Sequence, residues 1–237
     1  MGRRNNKNMT EKFHKIKEIV EAELNQDHDS GHDIEHIMRV YNLSMTIAKS
    51  ESDVDLDVVQ AAALLHDIGG AREANDTSGQ IDHAVVGAEM AKPILENLGY
   101  SKDKIEHIQE CILCHRYRTN NKPQTIEAKI VHDADKLDSS GAIGVARVFT
   151  WISRHHAKIF KKVDDINEYA KENLTDGKIS GRIIDKSKHS IHINYETKDK
   201  FLLDNLYTET AKKIGRDRAT YYKGFIDRLE KEVSGEI

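Results

Sequence analysis

Only two prolines, Pro93 and Pro123, occur in 237 residues, so helices are seldom interrupted and no proline-rich linker divides the chain. Cysteine is as scarce. Cys111 and Cys114 cannot build a disulfide framework, and a chain this long buries about 70–75% of its unfolded surface without such staples. No segment approaches the ~18 uninterrupted apolar residues of a membrane span, which excludes a membrane partner of that kind. An excess of charge of one sign is missing too. With 36 basic and 40 acidic residues the net charge is −4, which argues against a nucleic-acid polymer as partner yet leaves room for a local basic patch. The start, MGRRNNKNMTEKF, carries no apolar stretch behind its basic residues. No signal peptide is read there, and a cytoplasmic, reducing location with free thiols is expected. Asn6 stands where an N-myristoylation pattern wants Ser or Thr.

What is present is helical periodicity almost throughout. The pattern predicts helices at about 10–25, 34–50, 57–67, 82–98, 101–116, 124–137, 141–161, 164–174, 199–214 and 216–234. Strand alternation is nearly absent. SIHINYET (190–197) alternates weakly, but within the polar stretch 175–198 it reads as part of a long exposed loop. The expectation is a single all-α domain over residues 1–237, built around a central helical bundle. His155, His156, His189 and His192 are expected in solvent.

Several polar side chains lie on stripes that otherwise read as core. His36 edges the face of Ile37, Val40 and Ile47; His66-Asp67 closes the run VVQAAALLHDIGG; Asp135 and Asp138 stack on Val131. Leaving such groups buried and unpaired costs ~1–3 kcal/mol for a neutral group and more for a carboxylate. A lone His or Asp on an apolar stripe is ordinarily a hydrogen-bonded core residue. Four of them on three helices are harder to satisfy one at a time, whereas one shared cation satisfies all. Adjacent residues in a helix point ~100° apart, so His66 and Asp67 share an ion only at a helix end, where Gly69-Gly70 is expected to stop the helix. Two imidazoles and two carboxylates suit Mn²⁺ foremost, with Fe²⁺, Co²⁺, Ni²⁺, Zn²⁺ or Mg²⁺ as alternatives. An open set of this kind fits a reactive centre better than a closed structural site.

HDSGHDIEHIMRV, AALLHDIGG and IVHDADKLDSSGAIGVAR, in that order, resemble the HD superfamily of metal-dependent phosphohydrolases, in its compact bacterial branch. The resemblance implies an HD-domain helical bundle, with the core over about 27–150 and C-terminal helices at about 141–235 packing on it. It implies His36, His66, Asp67 and Asp135 as metal ligands, one divalent ion, and a nucleotide substrate. The nearest likeness is to nucleotide pyrophosphohydrolases that cleave nucleoside triphosphates by metal-activated water. A 5′-nucleotidase, an alarmone or cyclic-nucleotide phosphodiesterase, and a catalytically silent metal-binding module stay open as alternatives, and a homodimer is allowed. HDIGGARE lacks the HD-x-x-E-D run expected of an alarmone hydrolase.

Phosphate substrates need positive charge about their oxygens. Lys136, beside Asp135, is either that charge or a surface lysine. Arg39 and Arg147 reach the pocket rim or pair with carboxylates; the salt bridge is favoured for Arg39. Asp138 orients a ligand, pairs with Lys136, or acts as a base, and orientation is favoured. His83 and His115 match positions where related hydrolases bind a second metal, contact phosphate or protonate the leaving oxygen. The expectation is one ion with both histidines facing substrate; a second ion would require Asp67 as a bridge. The catalytic set is then Asp67, Lys136 and Asp138. Cys111-Ile112-Leu113-Cys114-His115 matches a haem-attachment pattern, but it falls within a helical stripe and shows no export context, so haem is set aside.

Overall fold

The computed structural model describes residues 2–24, 33–116, 121–179 and 181–237, with side chains from residue 9 onward. The end of the first expected helix (25), residues 28–32 of the HDSGHDIEHIMRV motif, the residues after Arg116 in CILCHRYR and residue 180 of the 175–198 stretch lie outside the described residues. Among those described, the structure is all-α and contains no strand, only two isolated bridges. No helix among them is long and apolar enough to cross a membrane. The chain divides into two compact units, Met1–Asp135 with Tyr207–Ala211, and Lys136–Leu206 with Lys212–Ile237.

The first unit is arranged around one short helix, buried from its third residue to its end. Helix α3 (Leu56–Leu65) is apolar on every side, and every residue from Val58 to Leu65 is buried. A helix hydrophobic all round belongs at the centre of a core, and α3 accordingly packs against α1 (Gly2–Leu24), α2 (Ile34–Ala48) and α6 (Lys102–Cys114). Its one buried polar member, Gln60, donates to the Met9 carbonyl at 2.9 Å. Helices α4 (Gly70–Ala74), α5 (His83–Asn97) and α7 (Ile126–Asp138) complete this unit, α7 running three residues past its boundary. Aspartates start the key helices: Asp33 accepts from His36 N at 2.8 Å and Asp82 from Ala84 N at 2.9 Å. Pro93 sits inside α5 without ending it.

Asp133 does a different job from its neighbour two residues on. Fully buried, its carboxylate accepts from the backbone N–H groups of Tyr207 and Thr208 and from the Thr208 hydroxyl. Thr208 in turn accepts from Ala211 N, so Asp133 secures the start of α11 (Glu209–Ser234).

The second unit holds α8 (Gly141–Arg154), α9 (Ile166–Asn173), α10 (Ile191–Thr197) and most of α11. One apolar cluster gathers Val145, Val148, Ile152, Ile191, Tyr222 and Ile226; another gathers Tyr169, Ala170, Leu174 and Ile193.

Four expectations are corrected here. SIHINYET is not loop: Ser190 caps α10 by accepting from Ile193 N, and Ile191 and Ile193 are both buried. Its short alternating pattern concealed a helix of about two turns pinned between two clusters. Gly215 does not separate two helices. It lies inside α11, where a Cβ would stand 2.5 Å from Leu203 Cδ2, so its smallness serves packing. The helix expected to reach 161 ends at Arg154, followed by His156 at φ 52. His189, expected in solvent, is 1% exposed, with the Tyr169 hydroxyl 2.8 Å from its Nδ1.

Candidate metal centre

The centre begins where α3 stops. His66 is the C-cap of α3, and its Nδ1 donates to the Ala63 carbonyl at 2.9 Å, one of the acceptors a helix end leaves unpaired. That bond assigns the proton to Nδ1 and turns Nε2 inward. Burial lowers the His66 pKa to about 4, although the carboxylates of Asp67 and Asp135 oppose the shift. The imidazole is therefore neutral at pH 7 and offers a lone pair. The helix ends at Leu65 rather than 67, so His66 and Asp67 leave the α3 helix and turn toward the same region.

Two pairs of histidines meet Asp67 from opposite sides of its carboxylate. His36 Nε2, from α2, is 3.3 Å from Asp67 Oδ2, 3.2 Å from His66 Nε2 and 3.6 Å from Asp135 Oδ1. His66 Nε2 is 3.5 Å from Asp67 Oδ2 and 4.0 Å from Asp135 Oδ1. On the other side His83 Nε2 and His115 Nε2 are 3.1 Å apart, and each is 3.3 Å from Asp67 Oδ1. Donors around one first-row ion at about 2.1 Å stand about 3.0–3.4 Å apart for octahedral or tetrahedral geometry. The His36–His66–Asp67 cluster and the Asp67–His83–His115 cluster both suit a metal ion, and the neutral nitrogens and carboxylate oxygens are the donor chemistry such an ion takes. Asp67 belongs to both, where the sequence led us to expect one ion.

Glycine at position 69 allows this meeting. A Cβ there would lie 2.4 Å from the His83 carbonyl and 2.8 Å from Gly87 N. The turn after Asp67 thus abuts the first turn of α5, which carries His83 to Asp67. Gly70 has nothing within 4 Å and starts α4 instead of ending α3.

The outer bonds of His83 and His115 differ. His115 Nδ1 donates to the Ile112 carbonyl at 2.6 Å, the same helix-end arrangement as His66. His83 Nδ1 donates to Glu73 Oε2 from α4. Arg116 Nη2 binds Glu73 Oε1 at 2.9 Å, and Arg116 Nη1 is 3.0 Å from Asp82 Oδ1. Partial burial raises the Glu73 pKa, but the His83 hydrogen bond and the Arg116 charge outweigh it and hold the carboxyl below its usual range. Neither Glu73 nor Arg116 was legible as part of a site. Glu73 stands ten residues before His83 with no periodic relation to it.

The structure thus gathers His36, His66, Asp67, Asp135, His83 and His115 in the first unit. The others lie elsewhere. Arg39 Nη1 is 4.0 Å from Glu35 Oε2, one helical turn back. Asp138, 1% exposed, is ion-paired with Arg147 inside the second unit, and Lys136 is half-buried at that unit's first residue. Side-chain exposure is 0–4% for His36, His66, Asp67 and His115 but 13% for His83 and 18% for Asp135, so these two are the most exposed of the six. The haem-like pentapeptide is resolved as well. Cys111 is buried within α6, burial raises its thiol pKa, and His115 faces Asp67.

The HD domain family matches residues 33–140. Over 232 residues, 93% of this chain and 97% of the relative, the sequence is 27% identical to the uncharacterized protein YpgQ of Bacillus subtilis. An HD-superfamily hydrolase from Bacillus thuringiensis is similar in structure, with a TM-score of 0.68 at 27% identity over 95% of this chain and 98% of that one. The crystal structure of Bacillus subtilis YpgQ in complex with ADP has the same fold, with a TM-score of 0.68 at 24% identity over 95% and 96% of the two chains.

Proposed function

Because this chain belongs to the HD superfamily of hydrolases, we propose that it is a metal-dependent phosphohydrolase of nucleotides that releases pyrophosphate from nucleoside triphosphates. The carrying observation is the donor set around Asp67, whose mutual distances match those of ligands about a first-row divalent ion. His36, His66, Asp67 and Asp135 would hold the ion, Mn²⁺ in our reading. A bound ion would supply acidified water and a Lewis acid at the phosphoryl oxygens.

The side chains do the rest. The reaction joins a water oxygen to the α-phosphorus and breaks the bond from that phosphorus to the α–β bridging oxygen, giving a monophosphate and pyrophosphate. His83 and His115 are assigned to the substrate side, where an imidazole can contact a phosphate oxygen or, once protonated at Nε2, place that proton on the departing oxygen. Lys136 is assigned to the phosphate charge, with Arg39 and Arg147 as further cations and Asp138 holding Arg147 in place. A nucleotide ligand is supported by the YpgQ complex with ADP. A small nucleotide, not a polymer or a membrane, is the partner we assign; the protein is proposed to work in the cytoplasm.

One panel tests this. Nucleoside tri-, di- and monophosphates are incubated with the protein and Mn²⁺ while pyrophosphate and orthophosphate are measured separately. Pyrophosphate from triphosphates supports the reading. Orthophosphate from monophosphates alone would make the protein a 5′-nucleotidase, and no turnover with any divalent ion would make it a binding module.

A further inference from the structure

Of the four imidazoles around Asp67, His83 has the most exposed side chain, and its Nδ1 partner is a carboxylate, where His66 and His115 use helix-end carbonyls. The contacts close a ring. Asp67 Oδ1 meets His83 and His115; His83 donates to Glu73; Glu73 accepts from Arg116; and Arg116 is joined by the chain to His115. Arg116 also reaches Asp82, the residue that caps α5 just before His83. Three elements contribute, α4, the start of α5 and the end of α6, and among the described residues the charged groups they bring to the ring besides Asp67 and the histidines are Glu73, Arg116 and Asp82.

The geometry points to Glu73 as a positioning residue, braced by Arg116, that sets the His83 tautomer and aims its Nε2 at Asp67. This rests on the reading of the centre given above. The physics follows from the donor inventory. A neutral imidazole carries one proton, and an acceptor on Nδ1 places it there, leaving the Nε2 lone pair for a cation or a substrate proton. A carbonyl would do this for His83 too, but His83 begins α5 instead of ending a helix, so no orphan carbonyl lies three residues behind it. A side chain has to supply the acceptor. Glu73 has two rotatable bonds beyond its Cβ, so it needs a second anchor, and the planar Arg116 fork bonded to both Glu73 and Asp82 provides one.

The test uses Glu73→Ala, Glu73→Gln and Arg116→Met in the full chain, free of metal and nucleotide. Imidazole ¹⁵N spectra, with His83 assigned by difference from His83→Gln, read the tautomer. Calorimetric titration with Mn²⁺ alone reads affinity, and circular dichroism checks helix content. Wild type is expected to show a single Nδ1–H tautomer. Glu73→Ala should show a mixture and bind Mn²⁺ about 10–100-fold more weakly at the Asp67–His83–His115 cluster, the one that His83 itself enters. Glu73→Gln, which keeps an acceptor, should restore the tautomer and most of the affinity, with Arg116→Met between. A Glu73→Ala protein with wild-type tautomer and affinity overturns the inference. If that variant does not fold, unchanged values in Arg116→Met overturn it equally. Tautomer and Mn²⁺ changes in a protein that hydrolyses no nucleotide would defeat the proposed function and leave this assignment standing.

Discussion

Asp67 is the residue on which the centre depends, because both of its oxygens are engaged and it is almost wholly buried. Asp67→Ala is expected to abolish Mn²⁺ binding and hydrolysis while the far-ultraviolet spectrum keeps its helical amplitude; full activity in a metal-loaded variant would remove Asp67 from the ligand set. Two positions apart in the same motif, Asp133 and Asp135 divide their work. They stand ~200° apart around α7, so one fastens the start of α11 and the other faces His36 and His66. Spacing against the apolar stripe singled out Asp135, and the structure accounts for Asp133. Lys136 is the next side chain along. Lys136→Ala should raise KM for a triphosphate several-fold or lower kcat if this cation meets phosphate. Unaltered steady-state kinetics would return it to the solvated surface.

Between elements, the decisive contact is that of the turn after Asp67 with the first turn of α5. Gly69→Ala puts a methyl group 2.4 Å from the His83 carbonyl, so α5 has to move. We expect a loss of about 1–3 kcal/mol in urea unfolding together with at least tenfold weaker Mn²⁺ binding. Gly70→Ala, with open space around its Cβ, is the matched control and should be near neutral. Equal behaviour of the two variants would contradict the close approach. The paired glycines were legible as a break in the helix. That only the first is needed, and for closeness, required knowing what packs against it. Helix α10 was misread for a similar reason: seven residues leave too few turns for periodicity to show.

For the whole molecule, buried histidines make stability depend on pH. Burial lowers His189 to about 4, against which its hydrogen bond with Asn194 acts weakly, while an unfolded histidine titrates near 6.5. Between these values the unfolded chain binds more protons, so stability rises with pH and is lost as pH falls from about 7 toward 4. Unfolding in urea at pH 7 and pH 5 should show wild type losing about 1–2 kcal/mol more than His189→Gln over that interval; parallel losses would show that His189 is not the group protonated. The helical class, the order of the motifs and the inward placement of His36 and Asp135 were readable from the residues alone, because side-chain direction along a helix repeats every 3.6 residues, while His83 and His115 were readable only through the motifs they sit in. Tertiary structure alone decided that both histidine pairs converge on one carboxylate, that Glu73 and Arg116 stand behind His83, and that Asp138 is ion-paired with Arg147. Those contacts join residues up to tens of positions apart, and their distances depend on how close two backbones can come, a quantity no periodicity carries.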